Sequence, residues 1–219
     1  MIALGIKFDD IHSYYDLDLF LSQDGVYIPP AQPKTTYVEL AGGNGSLDLT
    51  EALGEVKYSD RSCKFTFTVN PSSYMTFEEK KTQVSNALNG KKCKITLDKD
   101  EDYYYLGRCT VNDYLQDKRI LQIVVTATVS PYKLKQNETV ETITLTGQEQ
   151  TVILKNGRKS VVPEITCTNN NTKIAFGSLE TVLNAGTHRI LDIQFKEGEN
   201  VLKVTGSGTI TFKYQEGDL

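Results

Sequence analysis

Several groups of residues in this chain have types and spacings that could do chemistry. The first is the glycine-rich stretch from Ala41 to Thr50, AGGNGSLDLT, where Gly42, Gly43 and Gly45 surround Asn44 and lead to Asp48. Glycines this close let the backbone turn sharply or approach a ligand, as a phosphate cradle requires. A Walker loop needs Gly-Lys-Ser/Thr and then a helix. Here a strand pattern follows, with Leu47 and Leu49 on one face and Ser46, Asp48 and Thr50 on the other. Nothing matches GxGxxG. The stretch reads as a tight turn between strands.

The second group is Asp98, Asp100 and Asp102, the DxDxD start of a calcium loop. Its sixth position should be glycine and is Tyr103; its twelfth should be glutamate and is Cys109. An acidic hairpin turn is the better reading. His12 and His188 have no partner at metal-ligand spacing, and Cys63, Cys93, Cys109 and Cys167 contain no CxxC pair. These thiols read as small buried hydrophobes in a reducing compartment. The run Tyr103-Tyr104-Tyr105 suits cross-strand packing better than a ligand platform. With 28 acids in the chain, a carboxylate pair for glycoside hydrolysis stays open, because its spacing of about 5–10 Å is a property of the fold. The lack of tryptophan weakens a sugar platform, although tyrosine can substitute. No catalytic set, cofactor or metal is expected.

Composition sets the frame for these residues. The 219 residues carry 39% hydrophobic and 24% charged side chains and a net charge of −4, an ordinary globular balance. The acidic total argues against nucleic acid as the main partner. The longest apolar run, Ile120 to Val129, is far short of the roughly 20 residues of a membrane helix. The opening MIALGIKFDD lacks a basic segment, so a secretory leader is not expected and synthesis in the cytoplasm is.

Strand patterns are expected over residues 2–8, around Leu17 to Leu21, and over Thr35 to Leu40, with Gly25 and the prolines 29, 30 and 33 as breaks. Arg61 to Asn70 alternates most clearly, with Cys63, Phe65, Phe67 and Val69 on one face. One helix is expected over about 76–89: Thr76 and Glu79 form a capping box, Gly90 follows, and Phe77, Val84 and Leu88 make its apolar stripe. Strands are expected again over Lys92 to Leu97, Tyr103 to Leu115 and Arg119 to Val129, with a turn from Asp113 to Lys118. Beyond Lys133, thirteen threonines occur in 86 positions, and glycine and asparagine turns separate short strands. Asn156-Gly157 is read as a hairpin turn. Two domains follow, 1–133 and 134–219, the second a β-sandwich.

Taken in order, HSYYDLDLFL at 12–21, the 29–34 segment, GNGSLDLTEALG at 43–54, Tyr58 and Arg61 before FTFTV, LNG at 88–90, DYYYLGRCTV at 102–111, SPYK at 130–133 and GENVLKVTGSGTITFKYQEGDL at 198–219 resemble the distal tail protein (Dit) family of siphophages and prophages. The chain departs from the family pattern at Tyr74-Met75, where a tryptophan is common, and at Ala41, where a proline is.

The resemblance implies a mainly β protein: an N-terminal β-sandwich with one α-helix and a projecting hairpin, and a C-terminal galectin-like β-sandwich. It implies a non-enzymatic homohexameric ring at the virion tail tip. That ring would join the major tail tube protein to the tail-associated (Tal) hub and, in some phages, hold receptor-binding proteins. Neither nucleic acid nor membrane is an expected partner. Gly42, Gly43, Asn44, Gly45 and Asp48 are the candidate assembly residues. The alternative function is recognition of host cell-wall saccharide by the C-terminal domain.

Overall fold

A computed structural model describes residues 4–52, 54–69, 76–117 and 120–219. The chain divides into two compact units, Met1–Lys133 and Leu134–Leu219. The first holds β1 (Ile6–Phe8), β2 (Ile11–His12), β3 (Leu19–Tyr27), β4 (Tyr37–Glu39), β5 (Ser46–Asp48), β6 (Arg61–Val69), α1 (Phe77–Leu88), β7 (Lys92–Leu97), β8 (Tyr103–Asp117) and β9 (Ile120–Val129), with β10 (Lys133–Lys135) at the changeover. The second holds β11 (Thr139–Thr146), β12 (Gln150–Asn156), β13 (Glu164–Cys167), β14 (Thr172–Phe176), β15 (Leu179–Leu183), β16 (Gly186–Arg189), β17 (Gly198–Thr205), β18 (Ser207–Tyr214) and β19 (Gly217–Asp218). The protein is mainly β, as the sequence predicts.

The first unit is built on one antiparallel sheet in the order β2-β1-β7-β8-β9-β6-β3. Strict alternation places Cys63, Phe65, Phe67 and Val69 of β6 inward, beside Ile123, Val125, Ala127 and Val129 of β9. Along the sheet β1 and β6 are four strand spacings apart, about 19 Å if it were flat. Yet the Phe8 ring lies 6.1 Å from Phe65 and 6.4 Å from Phe67. The sheet therefore rolls over and packs against itself, forming a sandwich from a single sheet.

The helix starts and stops where its capping pattern predicts. Thr76 accepts the Glu79 amide, and the Glu79 carboxylate accepts the Thr76 amide. Val84 and Leu88 enter the core, with Phe77 packed beside them. Less legible was Lys80, which is fully buried. Its ammonium donates to the Leu17 carbonyl at 3.1 Å, the Asp18 carboxylate at 3.3 Å and the Gln83 side-chain oxygen at 2.9 Å. This ties the helix to the tyrosine-rich segment that precedes β3.

Some expectations need correction. Gly25 does not break a strand; it sits inside β3 where the register with β6 shifts between Leu21 and Val26. A side chain there would meet the Thr66 carbonyl at 2.5 Å, so the glycine permits close strand approach. β8 runs on to Asp117 and β9 begins at Ile120, which leaves little of the turn expected from Asp113 to Lys118. Residues 1–3, 53, 70–75, 118 and 119, and with them the departure at Tyr74-Met75, lie outside the described residues.

The second unit is a sandwich of two four-stranded sheets, β11-β18-β13-β16 and β12-β17-β14-β15. Phe195, Phe212, Ile210, Ile165 and Leu202 form its centre. Many of its threonines have a clear use: Thr142, Thr211, Thr166 and Thr187 are register partners in one row across the first sheet. Cross-strand hydroxyl contacts join Thr142 to Thr211 at 2.9 Å and Thr166 to Thr187 at 3.0 Å. Asn156-Gly157 makes no hairpin, because β12 pairs with β17 while Val161 bridges to Phe195. The Asn156 side chain is buried and donates to the Lys159 and Phe195 carbonyls, spending its polarity in the core rather than on a turn.

Two stability predictions follow from these buried contacts. Lys80→Ala removes the donor to a buried carbonyl and is expected to cost about 1–3 kcal/mol. Lys81→Ala loses an i,i+3 pair with Glu78 and should cost less, about 0.5 kcal/mol. Urea midpoints of the two variants check the contrast. In the second unit, burial pushes the Tyr214 phenol up to about 12, and its hydroxyl donates to the Lys155 carbonyl at 2.6 Å. A phenol whose folded value exceeds its unfolded value stabilises fully below the unfolded value and loses that contribution above it. Melting temperature should therefore fall between pH about 10 and 12, and Tyr214→Phe should reduce the fall.

Candidate assembly surface

The residues that invited catalytic or metal readings are occupied in structural contacts. His12 Nε2 lies 3.1 Å from the Asp98 carboxylate, and Nδ1 accepts the Tyr14 amide at 3.1 Å. An acceptor Nδ1 leaves the proton on Nε2, where it donates to Asp98. Neither nitrogen remains for a metal or a substrate. Asp98 also accepts the Gly5 amide at 2.6 Å, and Asp100 pairs with Lys133 at 2.8 Å. The acidic turn thus fastens strand ends together.

His188 faces the Asn184 carbonyl at 2.8 Å. The three tyrosines of the run are all engaged. Tyr105 joins the core, while Tyr104 and Tyr103 lie under the Lys94 and Lys133 ammonium groups. Among the described residues, no group of three or more His, Cys, Asp or Glu could hold a metal, and no helix is long and apolar enough to cross a membrane. All four aromatic side chains of residues 134–219 pack in or against the core, so none is offered to a sugar from the sheet faces.

The four cysteines are free and buried. Burial pushes the Cys63 thiol up to about 11 and Cys109 up to about 12, and Cys93, which touches Cys109, is raised as well. Thiols in this state are poor nucleophiles.

The glycine-rich stretch stands apart. β3 and β6 are hydrogen-bonded neighbours, with Tyr27 opposite Lys64, so a short turn could join them. The chain instead leaves the body between them and returns at Arg61. At the base of this excursion the Lys34 amide donates to the Lys57 carbonyl at 2.7 Å and the Ser59 amide to the Gln32 carbonyl at 2.9 Å. Beyond the base, β4 and β5 form an isolated two-stranded ribbon with Tyr37 opposite Asp48, Val38 opposite Leu47 and Glu39 opposite Ser46.

Every residue from 32 to 49 is exposed. Gly42, Gly43, Asn44 and Gly45 form the tip of this arm, and Asp48 lies on its return strand. Gly42 and Gly45 have φ of 76° and 78°, values that side-chain-bearing residues rarely adopt. Asp48 accepts the Thr50 amide at 2.9 Å, and its hydrogen bonds with Thr50 hold its carboxyl below the usual range.

Sequence reading picked the glycines but missed the face beside them. Val38, Leu40, Leu47 and Leu49 are 37–52% exposed and Tyr37 is 59% exposed. The register puts Val38 and Leu47 on one side and Tyr37, Glu39, Ser46 and Asp48 on the other. The period-two pattern was visible; that nothing would lie beneath it was not. A ribbon with an uncovered apolar face and two unpaired edges is suited to bind another chain.

No protein-family description matches the sequence, and no curated protein matches it. Among solved structures, that of SPP1 Dit (gp 19.1) superposes with a TM-score of 0.67, covering 97% of this chain and 98% of that one at 15% sequence identity. The chain has the fold of SPP1 Dit. That protein is described as a paradigm of the hub adsorption apparatus in phages infecting Gram-positive bacteria. The match runs through both units, as the order of motifs along the sequence implied.

Thiol chemistry gives a check on the non-catalytic reading of the cysteines. Native protein is expected to react with a thiol-specific reagent only very slowly at mildly alkaline pH, and the four cysteines to titrate once the protein is unfolded. Fast labelling of any one in the native state would show an accessible, activated thiolate.

Proposed function

We propose that this chain is a structural component of a phage tail tip. In this reading it assembles as a homohexameric ring that joins the major tail tube protein to the tail-associated hub. The observation that carries the proposal is the end-to-end fold match to SPP1 Dit. The role is non-enzymatic and the working location is the virion tail tip. Receptor-binding proteins are further candidate partners of the same ring.

The exposed arm supports the ring part of the reading. A hairpin that reaches away from its own body onto the next copy makes a head-to-tail contact, and such contacts give rings when the rotation between copies closes. Gly42, Gly43, Asn44, Gly45 and Asp48 then lie in the assembly interface, with Val38, Leu40, Leu47 and Leu49 as its apolar part. The alternative, saccharide recognition by residues 134–219, lacks comparable support because the aromatic side chains of that unit are engaged in its core.

Size-exclusion chromatography with light scattering, joined to negative-stain images, tests the proposal. The full chain is expected to form rings of six. A V38D/L47D variant should keep its melting temperature and lose ring formation, since both side chains are exposed. Gly45→Val should weaken assembly by straining the positive-φ tip. A wild-type chain that stays monomeric at every concentration and shows no ring would overturn the reading.

A further inference from the structure

The outer face of the first unit carries a charge arrangement that the fold itself does not explain. Lys92 of β7 stands directly opposite Arg108 of β8. Lys94 follows two residues along β7, and Lys7 of β1 lies diagonal to it, since Lys7 pairs with Thr96. Lys91 flanks the group, and all five side chains are exposed. Like charges directly opposite in a sheet are destabilising. Arg108 donates to the Gly90 carbonyl at 2.5 Å, which helps satisfy the end of α1. Lys94 lies over the Tyr104 ring at 4.8 Å. Among the described residues, Lys7, Lys91, Lys92 and Lys94 form no ion pair. In the turn after β1, Asp9 accepts the Lys94 amide at 2.9 Å. Lys7, Lys91, Lys92, Lys94 and Arg108 together make a local concentration of positive charge.

The arm has the opposite character. Between Thr35 and Val56 the sequence has four acids, Glu39, Asp48, Glu51 and Glu55, and no basic residue. The protein as a whole has 24 basic and 28 acidic residues, so an arm with only one sign is a local concentration.

We infer that the arm of one copy docks on the Lys7, Lys92, Lys94 and Arg108 face of the next copy, with the arm's acids meeting those cations. This rests on the ring reading and adds the receiving surface to it. The charges choose the place and register of the arm on its neighbour. Val38 and Leu47 lie on the ribbon side away from Glu39 and Asp48, so it is the Tyr37, Glu39, Ser46 and Asp48 side that meets the cations. The contact joins two different surfaces and is heterologous, which is the geometry a ring needs.

Reversal and exchange of charge test the assignment. Both E39K/E51K and K92E/K94E are expected to weaken assembly about tenfold or more, while each variant still melts as a folded protein. The chain carrying all four substitutions should regain rings. Raised NaCl should weaken wild-type rings, because exposed pairs are screened. The neutral sets E39Q/E51Q and K92Q/K94Q give smaller losses and serve if a reversed variant misfolds. If each reversed variant still forms rings, or if the fourfold variant fails to restore them, the receiving face is elsewhere and the inference is overturned while the ring stands. If the wild-type chain forms no ring, both readings fall.

Discussion

The rolling of the N-terminal sheet onto itself is the constraint on which the first unit depends. Phe8 meets Phe65 and Phe67 only because β1 and β6, four spacings apart along the sheet, come face to face. That closure turns alternating strands into a sealed core, since the inward residues of β1, β6, β7 and β9 find partners across it rather than beside it. It also makes a burial site for α1, whose Val84 and Leu88 join the same cluster. Lys80 then has to be buried, and it is tolerated because a carbonyl, a carboxylate and an amide oxygen receive its three donors.

A closed core has no room for an insertion between two paired strands. β3 and β6 are such a pair, so the chain between them is excluded and projects as the β4–β5 ribbon. Tyr37, Val38, Leu40, Leu47 and Leu49 stay exposed to water, which is unfavourable for apolar surface. The paired cations on β7 and β8 are a second uncompensated feature, this one electrostatic.

The second unit solves its packing without projections. Its two sheets enclose Phe195, Phe212 and Tyr214, with rings at 6.3 Å and 5.2 Å from Phe195, and the Tyr214 hydroxyl is satisfied by the Lys155 carbonyl. Threonine serves the outer face because a β-branched side chain suits a strand and its hydroxyl can bridge to the next strand.

By itself, the sequence determined what depends on near neighbours in the chain. The alternation of Cys63, Phe65, Phe67 and Val69 set the inner face of β6. Thr76 and Glu79 set the start of α1, and Gly42 and Gly45 marked a turn that needs positive φ. These are local matters of side-chain period, capping and backbone sterics. Only the tertiary structure decided the rest. It paired β3 with β6 across a long excursion, buried the Asn156 side chain where a hairpin turn was expected, gave His12 the Asp98 carboxylate, and set Lys92 against Arg108. Each of these joins residues that are distant in sequence, or fixes a register that many alignments of short alternating strands would satisfy equally. The glycine-rich stretch belongs to both accounts. Its turn was written in its residues, but its standing outside the body with an apolar face uncovered came from a sheet that had already closed.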